Sequence, residues 1–412
     1  MPLSAPSMNA ETPDLLTSVA RRWAAASLRA ARRVGAAASE VLSSGARALD
    51  QQTEPAGLRR VLTGAERRTA EGTRIVTSPR ATSAALVEIR NKANVYFLVR
   101  SNQLLLGIPS PLPQPFPLDT YLPRAYERNA YAALWAVEGL GRLLGESHLE
   151  AGNNAPAGLL CDDAGDTLPE ESLLMLHAGI GLAFAQRALT GLTVNSPPSV
   201  FREIVASFAA MCRRNSRRGY LGAALESLGL VTRTFHGTLV PEVDRAIANT
   251  DPDLRGYFWH GVGRAIYFLP LNFLPCSTWE TVVMCEREGP DEFSRLNLFA
   301  GVAWGMVMVN IQNPVIPAEL IVKLHGAQLL HNRGFRYGAA TSLIMRQSTT
   351  PSAQLAQSFI DYDLGDRSSI DERVLWGTLI RQPGTEALTH IGPSLKAQGS
   401  LDRLFRYTDD LF

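Results

Sequence analysis

The chain has 412 residues, of which 46% are hydrophobic and 19% are charged, and its net charge is +1. This composition excludes an intrinsically disordered chain, and the near-neutral charge provides no global field that would attract nucleic acid. The apolar runs are shorter than the ~18–20 residues that a membrane-spanning helix needs, and the chain does not begin with a secretory signal, so we expect a cytoplasmic protein.

Residues 1–108 are predicted to form a basic N-terminal extension that is partly disordered and partly helical. From Leu16 to Ala48 the sequence is rich in Ala, Ser and Arg and contains no proline, which is typical of a helix with a basic face. Such a helix could contact a membrane surface, or it could cover the protein body as a solvated helix. Residues 109–117 follow, with prolines at alternate positions, and are predicted to be an extended linker.

Two helical units are predicted after the linker, over residues 118–240 and 241–385, with a tail over residues 386–412. Apolar residues recur at helical spacing in both units, and no segment alternates apolar and polar residues as strands do. Pro169 is followed by two glutamates, which predicts the start of a helix because acids favour the helix dipole there. The sequence therefore predicts an all-α protein, built as a helical bundle or a short α-solenoid.

The two units share a pattern of glycines at a constant offset. Glu138-Gly139-Leu140-Gly141-Arg142 matches His260-Gly261-Val262-Gly263-Arg264, 122 residues later. Gly179-Ile180-Gly181 and Gly301-Val302-Ala303 are the same distance apart. Two matches at one offset predict an internal duplication. Glu138 aligns with His260, so the two copies differ chemically at a point where they otherwise correspond.

Glycine inside a helix costs about 1 kcal/mol relative to alanine, so glycines at matching places in both copies need a reason. One interpretation is close packing of helices, and the other is access of a flat apolar ligand to bare backbone. In the second interpretation the ligand-lining residues are Trp259, Gly261, Gly263, Gly179, Gly181, Gly301 and Trp304. A phosphate-binding loop is excluded, because no strand precedes the glycines and the third glycine of a dinucleotide motif is missing.

Four polar residues near these glycines are candidates for acid–base catalysis, namely His260, His177, Glu138 and Arg264. In an apolar pocket, burial shifts pKa values toward those that suit proton transfer. The alternative for His177 is a hydrogen-bonded residue of the core. Buried arginines need partners, so we expect Arg142 and Arg264 to cap carbonyls or to pair with acids, with Glu138 as the expected partner of Arg142.

The sequence predicts no metal site. The acidic run at residues 162–166 lacks the periodic ligands of an EF-hand and is interpreted as a solvated loop. The four cysteines lack CxxC spacing, and His325 and His331 lie on different sides of a helix. No cofactor can be identified from the sequence.

Three segments together resemble a bacterial family of unknown function whose members include the UnbL-type proteins of enediyne biosynthetic clusters. These segments are Leu174–Gly181, Tyr257–Ala265 and Leu298–Trp304. The resemblance covers roughly residues 85–385. It implies a role beside an iterative polyketide synthase, in the conversion of a linear polyene into the enediyne core. It implies no catalytic residues.

Two functions are therefore expected to compete. In the first, the chain is an accessory enzyme or chaperone that binds or transforms an apolar polyene or polyyne intermediate. In the second, it is a non-catalytic scaffold that holds the polyketide synthase and tailoring enzymes together. A third hypothesis is a membrane-peripheral protein that acts through the basic N-terminal helix.

Overall fold

The computed structural model describes residues 79–150, 156–161, 167–268, 278–323, 329, 332–365 and 368–412. The predicted basic extension up to residue 78, the acidic run at 162–166 and the histidines at 325 and 331 lie outside these residues. In the described part of the chain the secondary structure is helical, and the β-structure is one isolated bridge between Leu160 and Ser216. The prediction of an all-α protein is confirmed.

The helices in chain order are α1 (Pro79–Arg100), α2 (Asn102–Leu105), α3 (Leu118–Tyr126), α4 (Ala130–Glu150), α5 (Glu170–Leu189), α6 (Pro198–Asn215), α7 (Leu221–Leu225), α8 (Ser227–Phe235), α9 (Val240–Thr250), α10 (Leu254–Phe268), α11 (Thr278–Glu288), α12 (Glu292–Val309), α13 (Val315–Lys323), α14 (Arg333–Thr349), α15 (Leu355–Ile360), α16 (Ile370–Trp376), α17 (Gln382–Glu386) and α18 (Gly392–Ala397). Short 3-10 turns cover Gly237–Leu239, Pro351–Ala353 and Leu401–Phe405.

The chain divides into two compact units. Of the described residues, those up to Ala93 belong to one unit, and those from Asn94 onward belong to the other. Only residues 79–93 of the first unit are described, and the site below lies wholly within the second. The boundaries predicted from the sequence at 109–117 and at 240 stay predictions.

Side chains at the helix starts satisfy backbone amides that no helical carbonyl can reach. Asp291 accepts a hydrogen bond from the Ser294 amide at 2.8 Å at the start of α12. Asn332 accepts one from the Phe335 amide at 2.9 Å at the start of α14. Helix α5 begins at Glu170, directly after Pro169, as the sequence predicts.

Residues 109–117 lie outside any helix, because the prolines lack the N–H that a helix interior needs. The segment packs against the rest of the protein. Phe116 is buried, and the Ser147 hydroxyl at the end of α4 donates to the Pro113 carbonyl at 3.1 Å. The backbone polar groups freed by the prolines are thus partly satisfied by α4.

The central helices pack in a sequence of neighbours: α4 on α5, α5 on α7 and α8, α8 on α10, α10 on α12, and α12 on α14. Helix α14 also contacts α5, so the series returns on itself. Helices α4, α5, α10 and α12 are buried around most of their circumference, which explains why they are apolar on all faces.

Helix α5 is the one described helix that is long and apolar enough to cross a membrane by length and composition. Its mean hydropathy is 1.3 over the best window, and 78% of that window is buried inside the protein. A helix in the centre of a bundle meets the same criteria, because its neighbours, like lipid, exclude water from every face.

The glycines of α4, α5, α10 and α12 mark places where two helices touch backbone to backbone. A Cβ on Gly141 would lie 2.3 Å from the Leu176 carbonyl oxygen, and one on Gly179 would lie 2.1 Å from that of Glu138. The same contacts recur 122 residues later. A Cβ on Gly263 would lie 2.2 Å from the Leu298 oxygen, and one on Gly301 would lie 2.0 Å from the His260 oxygen.

These contacts correct the predicted ligand-binding role of the glycines. The faces of Gly141, Gly179, Gly263 and Gly301 are filled by the neighbouring helix. Two further glycines are covered in the same way. A Cβ on Gly181 would lie 2.4 Å from the Ala224 oxygen, and one on Gly261 would lie 2.1 Å from the Glu226 oxygen. No bare backbone remains there for a ligand, so close packing is the better of the two interpretations.

The C-terminal residues complete the core. Helices α16, α17 and α18 are joined by two π-helical turns, Gly377–Arg381 and Ala387–Ile391. Prolines follow each turn, at 383 and 393, and lie in the first turn of the next helix, where a missing N–H is tolerated. Phe405 then packs on Trp304, with 6.5 Å between ring centroids.

Candidate functional site

A buried cluster of charged side chains lies between α4, α8 and α10. The Arg264 guanidinium donates to Glu226 at 2.5 Å and lies 3.5 Å from a carboxyl oxygen of Glu138. His260 Nδ1 contacts the other carboxyl oxygen of Glu226 at 2.5 Å. Trp304 of α12 covers Arg264, whose guanidinium carbon is 4.1 Å from the ring centroid. We call the four residues His260, Arg264, Glu226 and Glu138 the ionic cluster.

Backbone geometry brings the ionic cluster together. His260 and Arg264 are one turn apart on α10 and therefore share a face. Glu226 lies at the junction of α7 and α8, where its backbone oxygen touches the face of Gly261. A side chain at position 261 would push Glu226 away, so the glycine permits both His260 and Arg264 to reach the same carboxylate.

The surroundings shift the pKa values of the two carboxyl groups in opposite directions. Burial raises the pKa of Glu138, and the nearby Arg264 offsets this only in part. Burial also acts to raise the pKa of Glu226, but Arg264 and His260 outweigh it, so the pKa of Glu226 is lowered. Of the two carboxyl groups, Glu226 is the one whose ionised form its surroundings favour. Opposite shifts in neighbouring carboxyl groups are typical of sites that pair an acid with a base.

Three buried donor or acceptor atoms of the site have no hydrogen-bond partner among the described residues. They are His260 Nε2, Arg264 Nε and Trp304 Nε1. The Glu226 carboxylate can only accept a hydrogen bond, so Nδ1 of His260 carries the hydrogen. In the neutral ring, Nε2 then carries the lone pair. An oriented imidazole with one free nitrogen can accept a proton, and the Glu226 carboxylate stabilises the cation that forms.

The structure corrects the expected pairing of Glu138 with Arg142. Arg142 contacts Glu146, one turn further along α4, and donates to the Arg100 carbonyl at 3.4 Å. Glu138 approaches Arg264 instead. The buried Glu138 carboxyl thus meets the equally buried Arg264 of α10, while Arg142 reaches the more exposed Glu146 of its own helix.

His177 is a hydrogen-bonded core residue. Its Nδ1 contacts the Leu173 carbonyl oxygen at 2.7 Å, its Nε2 accepts from the Arg217 amide at 3.0 Å, and its ring stacks on Tyr220. Burial lowers the pKa of His177 to about 4. Both ring nitrogens are used by backbone groups, so the predicted acid–base role of His177 is not supported.

The predicted ligand contact of Trp259 is corrected by its hydrogen bond. Its indole Nε1 donates to Asp244 at 2.7 Å, and Arg255 binds the same carboxylate at 2.8 Å. Trp259 therefore belongs to a second network, on a different face of α10 from His260. Trp304, in contrast, lies at the ionic cluster through its contact with Arg264.

The low pKa of His177 predicts a pH dependence of stability. Between pH 6.5 and pH 4 the unfolded chain binds a proton at this residue and the folded chain does not, so the free energy of unfolding falls as pH falls through this range. The expected loss is about 3 kcal/mol over the full window. Urea unfolding at pH 6.5 and 4 measures it.

The matched control is His177→Asn, which keeps a donor near the Leu173 carbonyl but does not titrate. Its stability should fall less over the same pH range. Glu226, whose lowered pKa acts at the acid end, and Glu138, whose raised pKa acts in the opposite direction, are present in both proteins and cancel in the difference. Equal slopes for the two proteins would contradict the prediction.

Sequence reasoning missed Glu226, which is the residue that joins the ionic cluster. A signal for it was present, because Glu226 is the one charged residue between Arg218 and Arg233. A lone acid in an apolar stretch, in a chain with buried arginines to pair, indicates a buried ion pair. Arg346 was also missed, although it stands in a buried face of α14.

No metal centre is apparent in the described ranges, since no group of three or more His, Cys, Asp or Glu side chains there could hold an ion. Cys212 and Cys285 are buried free thiols, and burial raises the pKa of both. Cys161 is partly exposed, and Cys276 lies outside the described residues.

Comparison with models of known protein families, with curated proteins and with solved structures finds no match. The chemistry of the ionic cluster is therefore inferred from its own geometry.

Proposed function

We propose that this chain is a cytoplasmic accessory protein of enediyne biosynthesis that binds a linear polyene or polyyne intermediate and moves a proton on it with His260. The observation that carries the proposal is the free Nε2 of His260, buried beside a carboxylate that orients the ring. The resemblance of the segments around Gly179, Gly261 and Gly301 to the UnbL-type proteins suggests the class of intermediate.

The proposed reaction is an isomerisation without change of oxidation state. His260 Nε2 takes a proton from a carbon next to the conjugated chain, and the electron pair of that C–H bond enters the chain. Glu226 stabilises the imidazolium, and the proton returns to a more distant carbon of the same chain. The apolar surroundings favour this step, because water is excluded and the charges inside act more strongly.

We also propose that the helices arose by duplication at an offset of 122 residues. Support comes from the recurring contacts: Gly141 on Leu176 corresponds to Gly263 on Leu298, and Gly179 on Glu138 corresponds to Gly301 on His260. The contact of α14 with α5 favours a closed bundle over an open solenoid. In this view Glu138 and His260 are equivalent positions that now serve one cluster with different chemistry.

The expected partners are the polyene and the polyketide synthase that makes it, or other proteins of the same pathway. The buried, aromatic surroundings of the ionic cluster suit an apolar chain, and the net charge of +1 supports no role with nucleic acid.

Replacing His260 with asparagine is expected to lower proton transfer about 10²-fold, because asparagine keeps a donor toward Glu226 but removes the Nε2 base. The purified protein is incubated with the conjugated polyene released from the synthase in D₂O. Deuterium incorporation by mass spectrometry and the change of the polyene absorbance are the measurements.

The matched control is His177→Asn, in which the same change is made at a histidine outside the ionic cluster. It should retain the wild-type rate. An unchanged rate in folded His260→Asn would rule out the proton-transfer role. Full product formation in the producing cell with that variant, together with loss of product when the whole chain is deleted, would favour the scaffold function.

A further inference from the structure

Arg346 of α14 is a fully buried guanidinium that forms no ion pair with the described residues. Its exposed fraction is 0%, and none of its three nitrogens has a hydrogen-bond partner in the part of the chain that the structure describes. The ring of Tyr131 faces it, with the ring centroid 5.6 Å from the guanidinium carbon. The Tyr131 hydroxyl donates to the Val309 carbonyl at 2.9 Å.

Other buried arginines of the core differ in this respect. Arg264 has Glu226 and Glu138, and Arg142 has Glu146. Burial lowers the pKa of Arg346 to about 10, so the side chain stays charged near neutral pH. An ionised group is stable in an apolar interior only when an opposite charge meets it. Arg346 therefore has the properties expected of a residue that pairs with an anionic ligand.

One face of α4 extends from Arg346 to the ionic cluster. Tyr131, Trp135 and Glu138 follow one another at positions i, i+4 and i+7 of α4 and share one face. Tyr131 contacts Arg346, and Glu138 contacts Arg264, so the two guanidinium groups meet this face about 10 Å apart along the helix axis. Trp135 lies between them, and its buried Nε1 likewise has no hydrogen-bond partner among the described residues.

We propose that Arg346 binds the carboxylate of a long conjugated acid whose chain runs along this face of α4 toward His260. A carboxylate matches the planar guanidinium with two parallel hydrogen bonds and cancels its single charge. A phosphate would bring a second negative charge that the described residues do not neutralise. The identity of the bound molecule rests on the proposed function. What is added here is that Arg346 holds the carboxylate end of that molecule.

The test uses parinaric acid, a fluorescent conjugated tetraenoic acid, and its methyl ester. Fluorescence titration should show that the full-length wild-type protein binds the acid at least about tenfold more tightly than the ester, since only the acid forms the ion pair. In Arg346→Met the preference should disappear, with the ester affinity unchanged. A preference that survives in Arg346→Met, or equal affinity of the wild-type protein for acid and ester, would overturn the proposal.

A second measurement separates a binding arginine from a structural one. In the ligand-free protein, Arg346→Met should raise the midpoint temperature of unfolding, because it removes an unpaired buried charge. Adding parinaric acid should raise the midpoint of the wild-type protein more than that of the variant, because the variant binds the acid only as tightly as it binds the ester. A lower midpoint for ligand-free Arg346→Met would mean that the arginine has a structural partner, which contradicts the inference. Deuterium incorporation reports on His260 separately, so either proposal can fail alone.

Discussion

Replacing Arg264 with methionine is expected to lower the free energy of unfolding by about 3–5 kcal/mol, the cost of leaving a buried charge without its partner. Arg264 binds Glu226 at 2.5 Å, and both side chains are almost completely buried. Without the guanidinium, Glu226 keeps only His260 as a counter-group, and its carboxylate must either stay charged in an apolar interior or take up a proton. Urea unfolding at pH 7 measures the loss.

Arg142→Met is the matched control, since position 142 corresponds to position 264 at the 122-residue offset. Its partner Glu146 is 27% exposed and can be solvated once the arginine is gone. The expected loss is about 1 kcal/mol or less. Similar losses for the two variants would show that the ionic cluster contributes no more than a surface pair, contrary to its burial.

Replacing Gly301 with alanine is expected to cost about 3 kcal/mol, at the upper end for overpacking of a core. The added Cβ would lie 2.0 Å from the His260 carbonyl oxygen and 2.8 Å from the Arg264 amide nitrogen. Both are backbone atoms, which cannot turn aside as a side chain does, so α10 and α12 must separate. The corresponding Gly179→Ala should cost a similar amount. Thermal and urea unfolding provide the measurement.

Gly377→Ala controls for the presence of alanine itself. Gly377 has a helical backbone, and nothing lies within 4 Å of its added Cβ. This variant should gain about 0.5–1 kcal/mol, because alanine loses less backbone freedom on folding. If Gly301→Ala and Gly377→Ala changed stability in the same direction, the close contact of α10 with α12 would not be the reason for the glycine.

The helices were predictable because each depends on residues close in sequence. Pro169 with its two following glutamates marks the start of α5, and apolar residues at helical spacing mark α10 and α12. The role of the glycines in packing was also predictable from local sequence. Glycine destabilises a helix, so glycines at matching places in two helices indicate a close contact that recurs. In contrast, residues 386–412 were predicted only as a tail, whereas a π-helical turn, α18 and a 3-10 turn lie within them.

The ionic cluster could be predicted only in part. His260, Arg264 and Glu138 were identified as candidates, but their connections were not. Glu226 lies 34 and 38 residues before its two partners on α10, and no local rule relates positions so far apart. The orientation of Glu138 toward Arg264 follows from how α4 packs against its neighbours, which sequence periodicity does not specify.

The contact between Glu138 and Arg264 crosses the boundary predicted at residue 240. If the two halves descend from one ancestral segment, the second half now buries Arg264, which is neutralised by carboxyl groups of the first half, Glu226 and Glu138. The two halves would then depend on each other, because a copy that lacked either partner would bury an uncompensated ion. Divergence at one aligned pair, glutamate in one copy and histidine in the other, would have made the two halves of a symmetric repeat non-equivalent, so that each needs the other.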